Sequence, residues 1–164
     1  GIPYMTPTIG GYFYSEDYLR FLENLEHFTK IPIKIIKTEN SKWYKRLSEK
    51  GQNNVIVGKL EDIEYIFLHY KNGDEAFEKW ERRKTRINQD HMLYKFSEMN
   101  ECTEEMLIRF NDITHRSKLC FVRLPRPELE STVYFKGYEE DEEIIFDTYC
   151  WRRYIDIDKI INGL

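Results

Sequence analysis

The chain has 164 residues, a length that fits one ordinary domain with room for a real core, and is expected to form a single α/β domain over 1–164. With 41% hydrophobic and 33% charged residues it is a globular rather than a disordered sequence. A net charge of -4 and a pI near 5.7 argue against a general nucleic-acid binder, and no apolar run approaches the length of a membrane span.

The segment "GGYFY" (10–14) predicts a short strand. Ser15 reads as the N-cap of a helix with Glu16 and Asp17 in its first turn, and Tyr18, Phe21, Leu22, Leu25 and Phe28 carry a helical stripe to about residue 29. "IPIKIIK" (31–37) predicts a strand. "SKWYKRLSEKG" (41–51) predicts a short helix stopped by Gly51, and "NVIVG" (54–58) a brief strand. "EYIFLHY" (64–70) is apolar on both faces, as expected of a strand buried in a parallel sheet.

Asn72, Gly73 and Asp74 form a turn and cap before a helix from about Glu75 to Ile87. "HMLYKFS" (91–97) is the next strand. Thr103 caps a helix carrying Met106, Leu107, Phe110 and Ile113. "KLCFVRL" (118–124) is a strand ended by Pro125 and Pro127. "STVYFKGY" and "EIIFDTY" read as two strands flanking the acidic run 139–143, and "IDIDKIING" as a closing helix.

Alternating strands and helices predict a three-layer α/β fold: a mostly parallel sheet, helices on both faces, and a C-terminal hairpin or edge strands. In such a sheet ligands bind beyond the carboxyl ends of the strands. That rule puts His69 and Tyr70 at a ligand-facing edge. The helix that follows, roughly 20 Å long, would carry Arg82, Arg83, Lys84 and Arg86 toward the opposite edge. Ala76, Phe77, Trp80, Arg83 and Ile87 share one side of that helix, so Arg83 is partly inward and needs a carboxylate, carbonyls or a bound anion. The cluster is either structural or a site for a phosphate or acidic sugar.

Other chemistry finds less support. The odd set Cys102, Cys120 and Cys150 has no CxxC spacing, which points to free thiols in a reducing compartment. There is no P-loop, GxGxxG or GxSxG, and Gly10-Gly11 precedes its strand rather than following it. A metal centre drawn from His69, Asp90 and His91 would combine opposite ends of the sheet. Asp156 and Asp158 have DxD spacing but stand where a helix cap is expected. Ser15 and Ser97 have no base beside them. No cofactor is expected. A Tyr-rich composition, 12 in all, fits either a core rim with polar tips or sugar stacking.

The segments "TPTIGGYFYSEDYLRFLENLEHF", "VGKLEDIEYIFLHY", "EAFEKWERRKTRIN" and "KLCFVRL" occur in an order that resembles a bacterial family of exopolysaccharide biosynthesis proteins of unknown biochemical function. The resemblance runs from about Pro7 to Phe146. Its most specific pieces are Thr6-Pro7-Thr8-Ile9, His69-Tyr70, and Trp80 with Arg83, Arg86, Ile87 and Asn88. It implies a cytoplasmic α/β protein encoded among surface-polysaccharide genes, often beside glycosyltransferases, and no known reaction; a nucleotide-sugar or polysaccharide precursor and polysaccharide-assembly enzymes are the partners expected of the roles below. Two departures stand out. The family has residues before Thr-Pro-Thr, including an Asn-Cys pair, that this chain lacks; with no initiating Met, an upstream segment is expected to be missing. The family also shows Asp-Asn where this chain has Asp90-His91.

Two roles follow. In one, the protein is a transferase moving a glycosyl-type group from a phosphate-bearing donor. His69 is then the catalytic base or a donor ligand, and Tyr70, Arg83, Arg86 and Asn88 bind substrate. In the other it is a non-catalytic module binding a polysaccharide precursor or a partner enzyme.

Overall fold

Only Glu61 and Asp62 separate the strands Ile56–Leu60 (β3) and Ile63–Phe67 (β4), with Leu60 directly opposite Ile63 and Glu61 in the left-handed region at φ 53°. A two-residue connection admits only an antiparallel hairpin, because a parallel return needs a crossover of a dozen residues or more. In the computed structural model, which describes residues 9–88, 92–115, 117–145 and 147, this hairpin is the centre of the first of two units, Gly1–Ile87 and Asn88–Leu164.

In the first unit, Gly11–Phe13 (β1) pairs with β4 and Lys34–Ile36 (β2) with β3. The sheet order is β1-β4-β3-β2 and every pairing is antiparallel. The expected mostly parallel, three-layer sheet is therefore incorrect. The apolar run Tyr65–Phe67 of β4 reflects a central strand covered on both faces, which an antiparallel sheet can also provide. All five of its residues are buried.

On one face Ile66 and Val57 pack with Tyr14 and with Leu47 of the helix Tyr44–Glu49 (α3). On the other, Trp80 of the helix Gly73–Lys84 (α4) meets Tyr65 at 5.2 Å and Phe67 at 6.2 Å between ring centroids. Two sheet glycines make room there. A β-carbon on Gly58 would stand 2.3 Å from Ile33 and 2.6 Å from the Phe67 ring, and one on Gly11 would stand 2.6 Å from the Tyr65 ring.

The first helical stretch breaks at Asn24 into Ser15–Glu23 (α1) and Leu25–Lys30 (α2). Ser15 is not the N-cap. Tyr14 holds that position with extended backbone, and Ser15 is the first helical residue, buried. Asp17 explains why this turn sinks inward. Its buried carboxylate accepts from Lys42 Nζ (2.5 Å), Trp43 Nε1 (2.7 Å) and the Glu64 amide (3.1 Å). Glu64, also buried, accepts from Ser41 Oγ at 2.5 Å. The network ties α1, residues 41–43 and β4 together, and each buried polar group in it has a partner.

The second unit has a parallel sheet of order β5-β6-β7, formed by Tyr94–Ser97 (β5), Lys118–Val122 (β6) and Thr132–Tyr134 (β7). The helix Glu104–Asp112 (α5), capped by Thr103, supplies the crossover between β5 and β6. Phe96 stacks on Phe110, and Phe121 on Phe135 beside Ile144. The Glu98 carboxylate accepts from Arg123 Nε, Nη2 and backbone N–H, and Lys95 and Ser97 both donate to Asp147.

The strand expected at 143–149 is not seen in the part of it that is described, and 146, 148 and 149 lie outside the described residues. β7 is an edge strand parallel to β6, and 143–145 are not in a strand. The expected helix at 155–163, with Asp156 and Asp158, lies outside the described residues. So do Cys150, Asp90 and His91.

Candidate functional site

With β4 antiparallel to both neighbours, its end is not the carboxyl edge of a parallel sheet, and the ligand rule does not place a site at His69. The strand stops at Phe67. His69 is exposed in the following loop, in the left-handed region at φ 66°. Tyr70 turns back toward the sheet. Its ring meets Phe67 at 5.4 Å, and its hydroxyl oxygen accepts from the Gly10 amide at 3.0 Å.

α4 starts as its sequence predicts. The Asn72 side chain accepts from the Glu75 amide at 2.9 Å, with Asp74 and Glu75 in the first turn. The helix ends at Lys84, earlier than the expected Ile87, with Thr85 and Arg86 in a turn.

Its four cations have separate fates. Lys84 donates to the Ile31 carbonyl at 2.9 Å and pairs with Glu81 at 2.7 Å, so it is structural. Arg82 and Arg86 are exposed. Asn88 is exposed and belongs to the second unit. Arg83 turns inward without such partners: its Nε and Nη1 are buried and meet no acceptor among the described residues.

The same is true of Trp80 Nε1 one turn earlier, on a side chain only 4% exposed. Leaving such donors buried and unmatched is costly, and a ligand oxygen would relieve it.

Tyr65 connects these groups. Burial pushes its hydroxyl well above the ordinary tyrosine range; Tyr70 and Tyr18 push the same way, and the Arg83 charge pulls back. Tyr65 therefore stays a neutral donor, and it gives its proton to the Ile9 carbonyl at 3.0 Å. Tyr70 and helix α4, expected to carry Arg83 to the opposite edge, meet instead: Tyr70 and Trp80 both pack on Phe67, and Arg83 lies one turn beyond Trp80. Helix α4 packs across the sheet instead of returning along a parallel crossover, and that removes the separation.

Tyr65 is not singled out by the sequence, and Gly11 enters there only as half of the Gly10-Gly11 pair, a weak phosphate-loop candidate. A glycine paired across from an aromatic strand is the signal that could have found them. Trp80 was visible as an inward residue, though its indole N–H was not considered as a ligand group.

The chain matches the family described as a domain of unknown function, DUF1919, over residues 1–161. It belongs to the DUF1919 family. An uncharacterized protein of Haemophilus influenzae is 29% identical to this DUF1919 chain over 158 residues, covering 94% of the chain and 70% of the relative. Among the described residues of this DUF1919 protein, no group of three or more His, Cys, Asp or Glu is arranged to hold a metal ion, and no helix is long and apolar enough to cross a membrane.

Proposed function

We propose that this DUF1919 protein serves bacterial surface-polysaccharide assembly in the cytoplasm by binding a phosphate-bearing saccharide, a nucleotide-sugar or polysaccharide precursor, with Arg83 as the anion ligand. The observation that carries this reading is that Nε and Nη1 of Arg83 are buried and meet no acceptor among the described residues. Arginine is suited to phosphate oxygens because its charge is permanent and its donors are several. The tie to polysaccharide assembly, and to assembly enzymes as partners, comes from the sequence resemblance, carried by Trp80, Arg83, Arg86 and Asn88 among others.

A second reading, glycosyl transfer with His69 as base, draws on one observation. His69 holds a left-handed backbone conformation, of the kind that concentrates at functional sites. Binding is the better supported of the two, since His69 has no acid or base partner among the described residues with which to share a proton.

The test is thermal stabilisation by a panel of nucleotide-sugars. A ligand at 100-fold its dissociation constant adds about 2.7 kcal/mol, and Arg83→Ala is expected to abolish that gain. A panel without any shift would count against the proposal.

A further inference from the structure

Two more donors lie on the same side of the sheet as helix α4. Trp80 Nε1 is buried without an acceptor among the described residues. The Tyr70 hydroxyl spends a lone pair on the Gly10 amide, so its own hydrogen remains to be donated, and no described residue receives it. Trp80 and Tyr70 each border Phe67, Tyr65 lies against Trp80, and Arg83 stands one helical turn beyond Trp80. The neighbourhood is thus rich in donors. No carboxylate pairs with Arg83 among the described residues; the nearby Glu81 is engaged by Lys84 and the Ile33 amide.

We infer that Trp80 and Tyr70 complete the Arg83 site as hydrogen-bond donors, and that its ligand is a tetrahedral, acceptor-only oxyanion, a phosphoryl or diphosphoryl group. The inference rests on the role proposed for Arg83 and goes beyond it in naming two specificity residues and the anion's shape. A carboxylate presents two oxygens in one plane. A phosphoryl group presents three diverging oxygens, which suits donors that come from two nitrogens of Arg83, the indole of Trp80 a turn away, and a tyrosine from the β4–α4 loop. An acceptor-only ligand also leaves none of these donors facing another donor.

The test is calorimetric titration of the full chain with inorganic pyrophosphate, inorganic phosphate and glucuronate. Pyrophosphate is expected to bind at least about tenfold tighter than glucuronate. Trp80→Phe and Tyr70→Phe are each expected to weaken it about tenfold, the effect of losing a hydrogen bond to a charged group.

Equal binding of glucuronate overturns the inference, as do Phe variants that bind like wild type while Arg83→Met does not bind; both results leave Arg83 as an anion ligand. If the wild-type chain binds neither these anions nor any nucleotide-sugar, the Arg83 role itself falls. Should Trp80→Phe fail to fold, the indole N–H resonance of Trp80 in the wild-type protein decides. A shift on saturation with pyrophosphate supports the contact, and an unmoved resonance overturns it.

Discussion

The ring of Tyr65 lies where a β-carbon on Gly11 would have to be, with its Cε1 2.6 Å and its Cζ 2.8 Å from that position. The absent side chain lets the ring cross the β1 backbone and deliver its hydroxyl to the Ile9 carbonyl. Gly11→Ala forces a rigid ring or a strand to move, since the Ile66 carbonyl would also stand 2.3 Å away. The expected cost is about 1–3 kcal/mol, the range for overpacking a filled site. Urea denaturation measures it, and wild-type stability in this variant would contradict the packing described.

Arg83 offers a contrast between stability and binding. Its buried Nε and Nη1 find no acceptor among the described residues. Arg83→Met keeps length and apolar contact while removing the unmatched donors, so the variant is expected to gain up to about 2 kcal/mol. It should simultaneously lose anion binding. A melting curve and a pyrophosphate titration on the same sample check both. A destabilised variant that still binds would mark Arg83 as structural.

Two carboxylates shift in opposite directions with pH. Asp62, beside Arg20, is held below the ordinary carboxylate range by that guanidinium. Its contribution is present above the unfolded pKa of about 3.9 and is lost as pH falls. Because the pair is exposed, Asp62→Asn is expected to cost no more than about 1 kcal/mol at neutral pH.

Asp17 is raised by burial, against the pull of Lys42, Trp43 and the Glu64 amide. Over the window just above pH 4 the folded chain keeps a proton that the unfolded chain has lost, so this group's contribution falls as pH rises. Asp17→Asn should remove that slope, seen by comparing denaturation midpoints of the two proteins between pH 3 and 7. An identical slope in both would exclude Asp17 as its source.

The cysteines differ in reactivity for a physical reason. Burial pushes the Cys120 thiol well above its ordinary range, in the core of β6, whereas Cys102 is partly exposed. Native protein treated with iodoacetamide at pH 8 is expected to label Cys102 and spare Cys120, as read by peptide mass spectrometry. Faster labelling of Cys120 would mean that the second unit opens readily.

Local signals in the chain were enough for much of the secondary structure. Asn72 with Glu75, and Thr103 with Met106, cap the helices they were expected to cap, because a cap depends on residues within one turn. The inward placement of Trp80 and Arg83 follows from helical spacing alone. Pairing direction was not legible in the residues of the strand itself. The apolar run of β4 reads identically in a parallel and an antiparallel sheet, and only the two-residue Glu61-Asp62 connection distinguished them.

The candidate site divides along the same line. Helical spacing is enough to turn an arginine inward on α4, and chain order is enough to put His69 and Tyr70 after a buried strand. Only the packed chain brings Tyr65, Tyr70 and Trp80 together around Phe67, leaves His69 exposed, and leaves Nε and Nη1 of Arg83 without an acceptor among the described residues. Hydrogen-bond satisfaction depends on which atoms face one another across the sheet and α4, and those contacts join residues far apart in the chain.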